Sequence, residues 1–516
     1  MQLSARTMAA GLAAILGVRL LAMVLVPFAD TSEPRYAEIA RLMAETGDWI
    51  TPWFAPGVPF WGKPPLGFWA EALSIRLLGL SEFSIRLPSL LATAATLAVL
   101  HALGRRLFTL QAARWTVLVY ASMFLPLVAA GAVLTDPFLA LGVTLSMASF
   151  ILARGPAAGF WRYGFFLGLA IGLLSKGPLA VVLVAGAIVP WMLWHGNVRA
   201  SLRRLPWAAG SMMTAVLALP WYVAAEIKTP GFIQYFIVGE HFLRFVDPGW
   251  TGDLYGSAHS RPYGAIWLDG IVASLPWGVF GVWLLARRWR GPVRRAGRWL
   301  RRPRWTYLLA WGAATPLFFT LSGNILWTYA LPALPPLALA IGACLSRARA
   351  LAPARVATAC MALGPIAVIV FCGLLLAKPE RLKTEKHLVA RADALMAPGE
   401  KLYFVDSVPF SARYYSRGAA ARVPLEGLET VLPKDGRVFL AVEKADLRRV
   451  REQTGVELEP VYSSRRYVLV IAGTPADRRR RPAAMALSSR AGPGSGPGQT
   501  QKPTAWPSRR ESDAAT

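Results

Sequence analysis

The chain has 516 residues, a net charge of +27, 55% apolar residues and 16% charged residues. A soluble globular domain carries roughly 25% charged residues, and several apolar runs here reach the roughly 18 residues that suggest a spanning helix, so a soluble single-core protein is excluded. The positive charge is mostly arginine in short loops between apolar runs; the positive-inside bias of membrane proteins accounts for it without a nucleic-acid partner.

In chain order, residues 9–28 read as a retained first span with its N-terminus inside: the stretch resembles a signal peptide but lacks a small-x-small cleavage site before Asp30. Further spans are expected at 87–104, 113–133, 136–154, 162–175, 177–195, 207–226, 263–286, 305–321, 326–345 and 355–377. The fold class is therefore an α-helical polytopic membrane protein with about 11–13 spans. Arg105 and Arg106, Arg154 and Arg162, Arg199 with Arg203 and Arg204, the arginines of 287–304, and Arg347 with Arg349 and Arg355 all then fall on one side. That agreement places the termini of the loops and orients the chain. Cys344, Cys360 and Cys372 lie in or beside spans with no CxxC spacing, as small buried hydrophobes do.

The other side receives three segments. Loop 29–86 holds two amphipathic helices suited to a membrane interface; the first puts Ala37, Ile39, Ala40, Met43 and Ala44 on one side. The second segment is 227–262. The third, 378–475, loses long apolar runs, and KLYFV (401–405), RVFLAV (437–442) and YVLVIA (467–472) read as strands, with helices at 408–416 and 444–454. The expected organisation is a transmembrane domain at 1–377, a small extracytoplasmic α/β domain at 378–475, and a disordered basic tail at 476–516.

Ionisable side chains near a membrane are costly and concentrate at functional sites. Asp30, Glu33 and Arg35 follow the first span directly; they suit a general base with a neighbouring cation, or equally a helix start capped at Ser32. Lys63 in an aromatic turn is a phosphate contact or a snorkelling lysine. Asp136 opens the fourth span, as a base or an N-cap, and Lys176 sits between two short apolar stretches, suited to an anionic ligand or to a hairpin break. Loop 239–261 carries Glu240, His241, Arg244, Asp253, His259 and Arg261. Its arginines suit phosphate. A divalent metal would need Glu240 or Asp253 beside the histidines, and the spacing is not that of a metal motif, so no metal site and no cofactor is assigned.

SEPRYAEIAR (32–41), GDW (47–49), GKPP (62–65), SEFSIRLP (81–88), TDP (135–137) and SKGP (175–178), in that order, resemble the bacterial GT-C glycosyltransferases that include the 4-amino-4-deoxy-L-arabinose transferases of lipid A, and are similar to the protein O-mannosyltransferases. The resemblance covers about residues 10–345. It implies a polyprenyl-phosphate sugar donor, a lipid A, glycan or protein acceptor, and transfer at the outer face of a bacterial inner membrane among its lipids. Two positions depart from the family pattern: Ser32 stands where an aspartate precedes the glutamate, and Gly62 stands where the aminoarabinose transferases have a glutamate that would help form a metal site.

A glycosyl phosphate already carries its leaving group, so the chemistry needs a base for the acceptor hydroxyl and cations for the departing phosphate. The candidate bases are Glu33, Asp30 and Asp136; the candidate phosphate ligands are Arg35, Lys63, Lys176 and Arg244; His241, His259 and Glu240 complete the expected cavity. A polyprenyl-lipid flippase or transporter, and a non-catalytic membrane scaffold, share the composition; paired broken helices would favour the transporter.

Overall fold

The computed structural model describes residues 3–153, 158–247, 250–255, 260–288, 302–347, 351–432, 437–455 and 458–473. The expected tail at 476–516, His259 and most of the arginine loop 287–304 lie outside the described residues. Each expected span is mostly helical where described: α1 (Ala5–Leu25), α4 (Glu82–Leu107), α5 (Leu110–Ser122) running into α6 (Phe124–Ala129), α7 (Asp136–Leu152), α8 (Gly159–Lys176), α9 (Leu179–Trp194), and, after the short α10 (Val198–Leu202), α11 (Trp207–Lys228). Helices Pro303–Thr320, Leu334–Ser346 and Leu351–Ala377 complete the bundle. The chain is a multi-pass membrane protein. Helices 5–25, 82–107, 207–228, 327–346 and 355–377 are long and apolar enough to cross alone. The span expected at 263–286 is not straight: Ala265–Ala273 and Trp277–Leu284 meet at 93°.

α7 and α8 pack backbone against backbone. A Cβ on Gly168 would lie 2.5 Å from the Gly142 carbonyl oxygen, and one on Gly142 would lie 2.8 Å from the Gly172 nitrogen. Without a hydrophobic drive between helices in lipid, such small residues let backbones approach and gain dispersion contact. The consequence is functional, because the first residue of α7 is Asp136 and the last of α8 is Lys176.

In the first long loop, α2 (Ser32–Thr46) ends on Gly47 at φ 72°, and α3 (Leu66–Leu78) follows the hairpin of β1 (Trp53–Ala55) and β2 (Val58–Pro59). The expected apolar side of α2 is buried at Ala37, Ile39, Ala40 and Met43, in one cluster with Phe68, Ala72 and Ile75 of α3. A capping box of Ser81 and Ser84 then starts α4.

The C-terminal region is a five-stranded mixed sheet in the order β4-β3-β5-β7-β6, with β3 Leu402–Val405, β4 Ala421–Val423, β5 Arg437–Glu443, β6 Leu458–Ser463 and β7 Tyr467–Gly473. β3 runs parallel to β4 and β5; β7 is antiparallel to β5 and β6. β5 is buried on both faces. Val438, Leu440 and Val442 face one cluster with Val450 of helix Leu447–Thr454, and Phe439 and Ala441 face the other with Leu388 and Ala412. Strands β4 and β6 escape the sequence reading because they lie at the edges, where one or both faces stay wet and the apolar pattern is thin.

Candidate active site

A cavity of about 410 Å³ opens among Lys63 of the first loop, Lys176 at the end of α8, the segment 240–246, and Phe319, Ser322, Asn324 and Tyr329. Its polar wall is an ionic chain. Glu240 lies 3.3 Å from Lys63 Nζ and 2.9 Å from Arg244 Nη1, and Arg244 is also 3.2 Å from Asp253. Burial alone would raise the Glu240 carboxyl, but Lys63 and Arg244 outweigh it and hold the group below its ordinary value. Lys176 Nζ is 2.7 Å from Asp136 Oδ1, both side chains are buried, and the ammonium sits 4.4 Å from the Tyr329 ring centroid. Three cations thus meet three carboxylates: Lys63, Lys176, Arg244 and Glu240 line the cavity, and Asp136 and Asp253 pair with Lys176 and Arg244.

His241 staples this wall together. Its Nδ1 is 2.7 Å from the Phe236 carbonyl oxygen and its Nε2 is 3.0 Å from that of Lys176. Burial lowers the ring's proton affinity, while the two carbonyls act in the opposite sense. The approach requires Gly177, at φ +64°, because a Cβ there would lie 2.8 Å from the Phe236 ring and 3.1 Å from His241 Nε2.

Of the expected site residues, the fold gathers Lys63, Lys176, Arg244, Glu240 and His241 on the cavity, with Asp136 behind Lys176. Glu33, Asp30 and Arg35 stand elsewhere. Glu33 is held by Arg86 through Nε at 3.1 Å and Nη2 at 2.9 Å, and accepts the Val133 N–H at 3.1 Å. Asp30 is buried, accepts from Ser411 N at 2.8 Å and Ser411 Oγ at 2.9 Å, and pairs with Arg466. Arg35 donates to the Tyr255 carbonyl at 2.7 Å and lines no part of the cavity. Among the described residues, no three His, Cys, Asp or Glu side chains gather as metal ligands do.

Tyr329, Asn324 and Ser322 were missed, since nothing in an apolar run marks a tyrosine as cavity-facing. Arg86, the partner of Glu33, had a signal: it is an arginine at the mouth of a span, inside the motif SEFSIRLP, and such a residue calls for a carboxylate.

Fold and cavity define the class: a polytopic helical membrane protein with an ionic cavity and a β-containing C-terminal region. Residues 6–236 match the family model described as dolichyl-phosphate-mannose-protein mannosyltransferase. The undecaprenyl phosphate-α-4-amino-4-deoxy-L-arabinose arabinosyl transferase of Edwardsiella ictaluri is 32% identical over 314 residues, 60% of this chain and 53% of that one. Its namesake from Pseudomonas fluorescens is 33% identical over 321 residues, 60% and 52% of the two chains. The chain therefore spans about half the length of the curated relatives it matches. The crystal structure of ArnT from Cupriavidus metallidurans bound to undecaprenyl phosphate aligns with a TM-score of 0.73 at 19% identity, over 90% of this chain and 97% of that one. This chain resembles the GT-C group of aminoarabinose transferases and protein O-mannosyltransferases in sequence, and shares the fold of the ArnT structure.

Proposed function

We propose that the chain transfers a glycosyl group, pentosyl or hexosyl, from a polyprenyl-phosphate donor to a lipid A, glycan or protein acceptor at the outer face of the bacterial inner membrane. The observation that carries this reading is the convergence of Lys63, Arg244 and Lys176 on one cavity in a GT-C fold. The donor's phosphodiester brings one negative charge into a wall whose cations are already balanced. It therefore takes Lys63 and Arg244 from Glu240, with Lys176 held in place by Asp136. The released Glu240 carboxylate is then the nearest base. The acceptor hydroxyl gives its proton to Glu240, its oxygen bonds to C1, and the C1–O bond to phosphorus breaks with inversion. The departing phosphate gains a charge as Glu240 loses one, so the net charge of the loaded site does not change in the step.

Asp136 serves to orient Lys176 rather than to take the proton. Glu33 and Asp30 act through structure, because their oxygens are committed to Arg86, Val133, Ser411 and Arg466.

The test is transfer from a radiolabelled undecaprenyl-phosphate sugar in vesicles. Glu240→Gln should slow turnover at least about 10²-fold while undecaprenyl phosphate binds as tightly or tighter. Near wild-type turnover in Glu240→Gln with a dead Glu33→Gln would return the base to the first loop. Mass spectrometry of lipid A and envelope glycans from a deletion strain identifies the sugar and acceptor. Orientation is checked separately by a periplasm-active phosphatase fused after Gly473, which should be active.

A further inference from the structure

A second cavity, of about 390 Å³, opens where three spans end and a fourth begins. Leu107 closes α4, Ile151 lies in the last turn of α7 and Trp191 in the last turn of α9, while Arg302, Pro303 and Arg304 start helix Pro303–Thr320. The other end of that helix carries Phe318 and Phe319 to the donor cavity, so the two cavities lie at its two ends. The volume falls in the range of small-molecule sites, about 300–1,000 Å³.

The floor of this cavity is apolar and held in place. Ile151 and Trp191 are buried. Trp191 donates through Nε1 to the Pro303 carbonyl at 2.9 Å, and His195, just after α9, lies 2.8 Å from Thr306 Oγ1. Those two bonds fix the start of helix Pro303–Thr320 against α9. The rim is cationic. Arg302 is exposed, and Arg304 is half-buried with its guanidinium carbon 5.6 Å from the Phe108 ring centroid. Stacking occupies a face of the planar guanidinium and leaves its N–H edge for an oxygen.

No carboxylate of these elements neutralises the rim. Residues 83–135, 137–225 and 270–379 contain no Asp or Glu. On the four helices that meet here the only carboxylates are Glu82 and Asp136, which open α4 and α7 at the opposite end. Arg347 and Arg302 are the charges whose fields act on Arg304, and both have its own sign. Arg302 and Arg304 also stand at the cap and first turn of their helix, with no acidic residue in that turn, where the macrodipole disfavours a cation. The positive-inside bias asks for cations in a loop; it does not ask for two of them on the rim of an apolar cavity.

We infer that this cavity binds an anionic phospholipid from the leaflet on the arginine-rich side, its phosphate on Arg302 and Arg304 and the start of an acyl chain over Ile151 and Trp191. A soluble anion would leave the apolar floor wet. A zwitterionic lipid would add a cation to a rim that already has two. The bound lipid braces the end of the helix whose far end lines the donor cavity. The site stands on the geometry alone and is independent of the transferase reading.

The experiment titrates the full chain in detergent with phosphatidylglycerol and follows the tightest-bound lipid by native mass spectrometry, with phosphatidylcholine and glycerol phosphate alongside. Phosphatidylglycerol should bind at least about ten-fold more tightly than either. Arg302→Gln combined with Arg304→Gln should weaken it at least about ten-fold. Arg105→Gln combined with Arg106→Gln removes the same charge from exposed residues of the same side that do not line the cavity, and should change binding by less than about two-fold. Leu107→Trp fills the cavity while both arginines stay, and should weaken phosphatidylglycerol as the Arg302 and Arg304 pair does. All three variants should melt as the wild type does without added lipid, which separates a lost site from a lost fold. Phosphatidylglycerol should raise the melting temperature of the wild type and of the Arg105 and Arg106 pair, and of neither other variant. Equal weakening by the two arginine pairs would mean diffuse surface charge and overturn the site. Equal binding of glycerol phosphate or phosphatidylcholine, or an unaffected Leu107→Trp, would overturn it too.

Discussion

Two arginine–carboxylate clusters sit within one fold and have opposite characters. In the first cluster each oxygen of Glu33 and Asp30 already has a donor. Arg86 spends its remaining donors on the carbonyls of Met23 and Val26, and Asp30 joins the first loop to a residue 436 positions away. Around Glu240 the same residue types border a 410 Å³ cavity, and one carboxylate is shared between two cations that a phosphate would also satisfy. The difference teaches that residue type and closeness to the membrane do not make a site. A cluster becomes reactive when its partners are exchangeable, and structural when each oxygen has a fixed donor.

The sharpest way to break this comparison is to remove a charge from each cluster. Lys63→Gln should lower transfer by roughly 10²–10³-fold at normal membrane levels, as the loss of a charge-stabilising donor does. Arg86→Met should instead strike folding. It leaves Glu33 without its buried partner, and truncating one member of a buried pair costs about 3–5 kcal/mol. The melting temperature and detergent-resistant fraction should fall, with turnover per folded molecule little changed. A folded, inactive Arg86→Met would place the first-loop cluster in the chemistry after all.

A smaller effect is expected at Gly177→Ala. The positive-φ backbone, φ 64° and ψ −148°, alone costs a non-glycine residue about 1–3 kcal/mol, and the new methyl meets Phe236 and His241. The wall carrying Glu240 and Arg244 should move from Lys176, raising KM for the donor before stability collapses. Unchanged donor KM would mean that this staple does not hold the site.

The smallest effect concerns His241. Its folded proton affinity is depressed by burial, so as pH falls below its ordinary value of about 6.5 the unfolded ring takes a proton first. Stability from this residue is full above about pH 6.5 and falls as pH drops toward the folded value. Lys63 and Glu240 are the charged groups whose fields reach it. His241→Gln should flatten the fall of the melting temperature below about pH 6.5; a slope unchanged in that variant would assign the dependence to another group.

Much of this was legible in the order of residues. Long apolar runs must be helices in a bilayer, because every backbone polar group has to be satisfied within the segment; hence the spans expected from 9–28 to 355–377 are mostly helix where described, with 113–133 broken at Met123 and ending at Ala129 and 263–286 broken at 274–276. Lys63, Lys176, Arg244, Glu240 and His241 were legible as candidates, since charge beside apolar sequence is expensive and demands a reason. What the sequence by itself could not decide was which candidates meet. Lys63 and Glu240 are 177 residues apart, Asp136 and Lys176 are 40 apart, and only the glycine-lined approach of α7 to α8 and the turn at Gly177 bring them to one cavity. Likewise Asp30 and Glu33 look catalytic beside Arg35 in sequence, but Arg466 and Arg86 reach them through space and commit their oxygens. Local sequence sets helix, strand and charge because those depend on neighbours along the chain. The roles of the carboxylates depend on the donors that packing brings to each oxygen, and that only the tertiary structure decided.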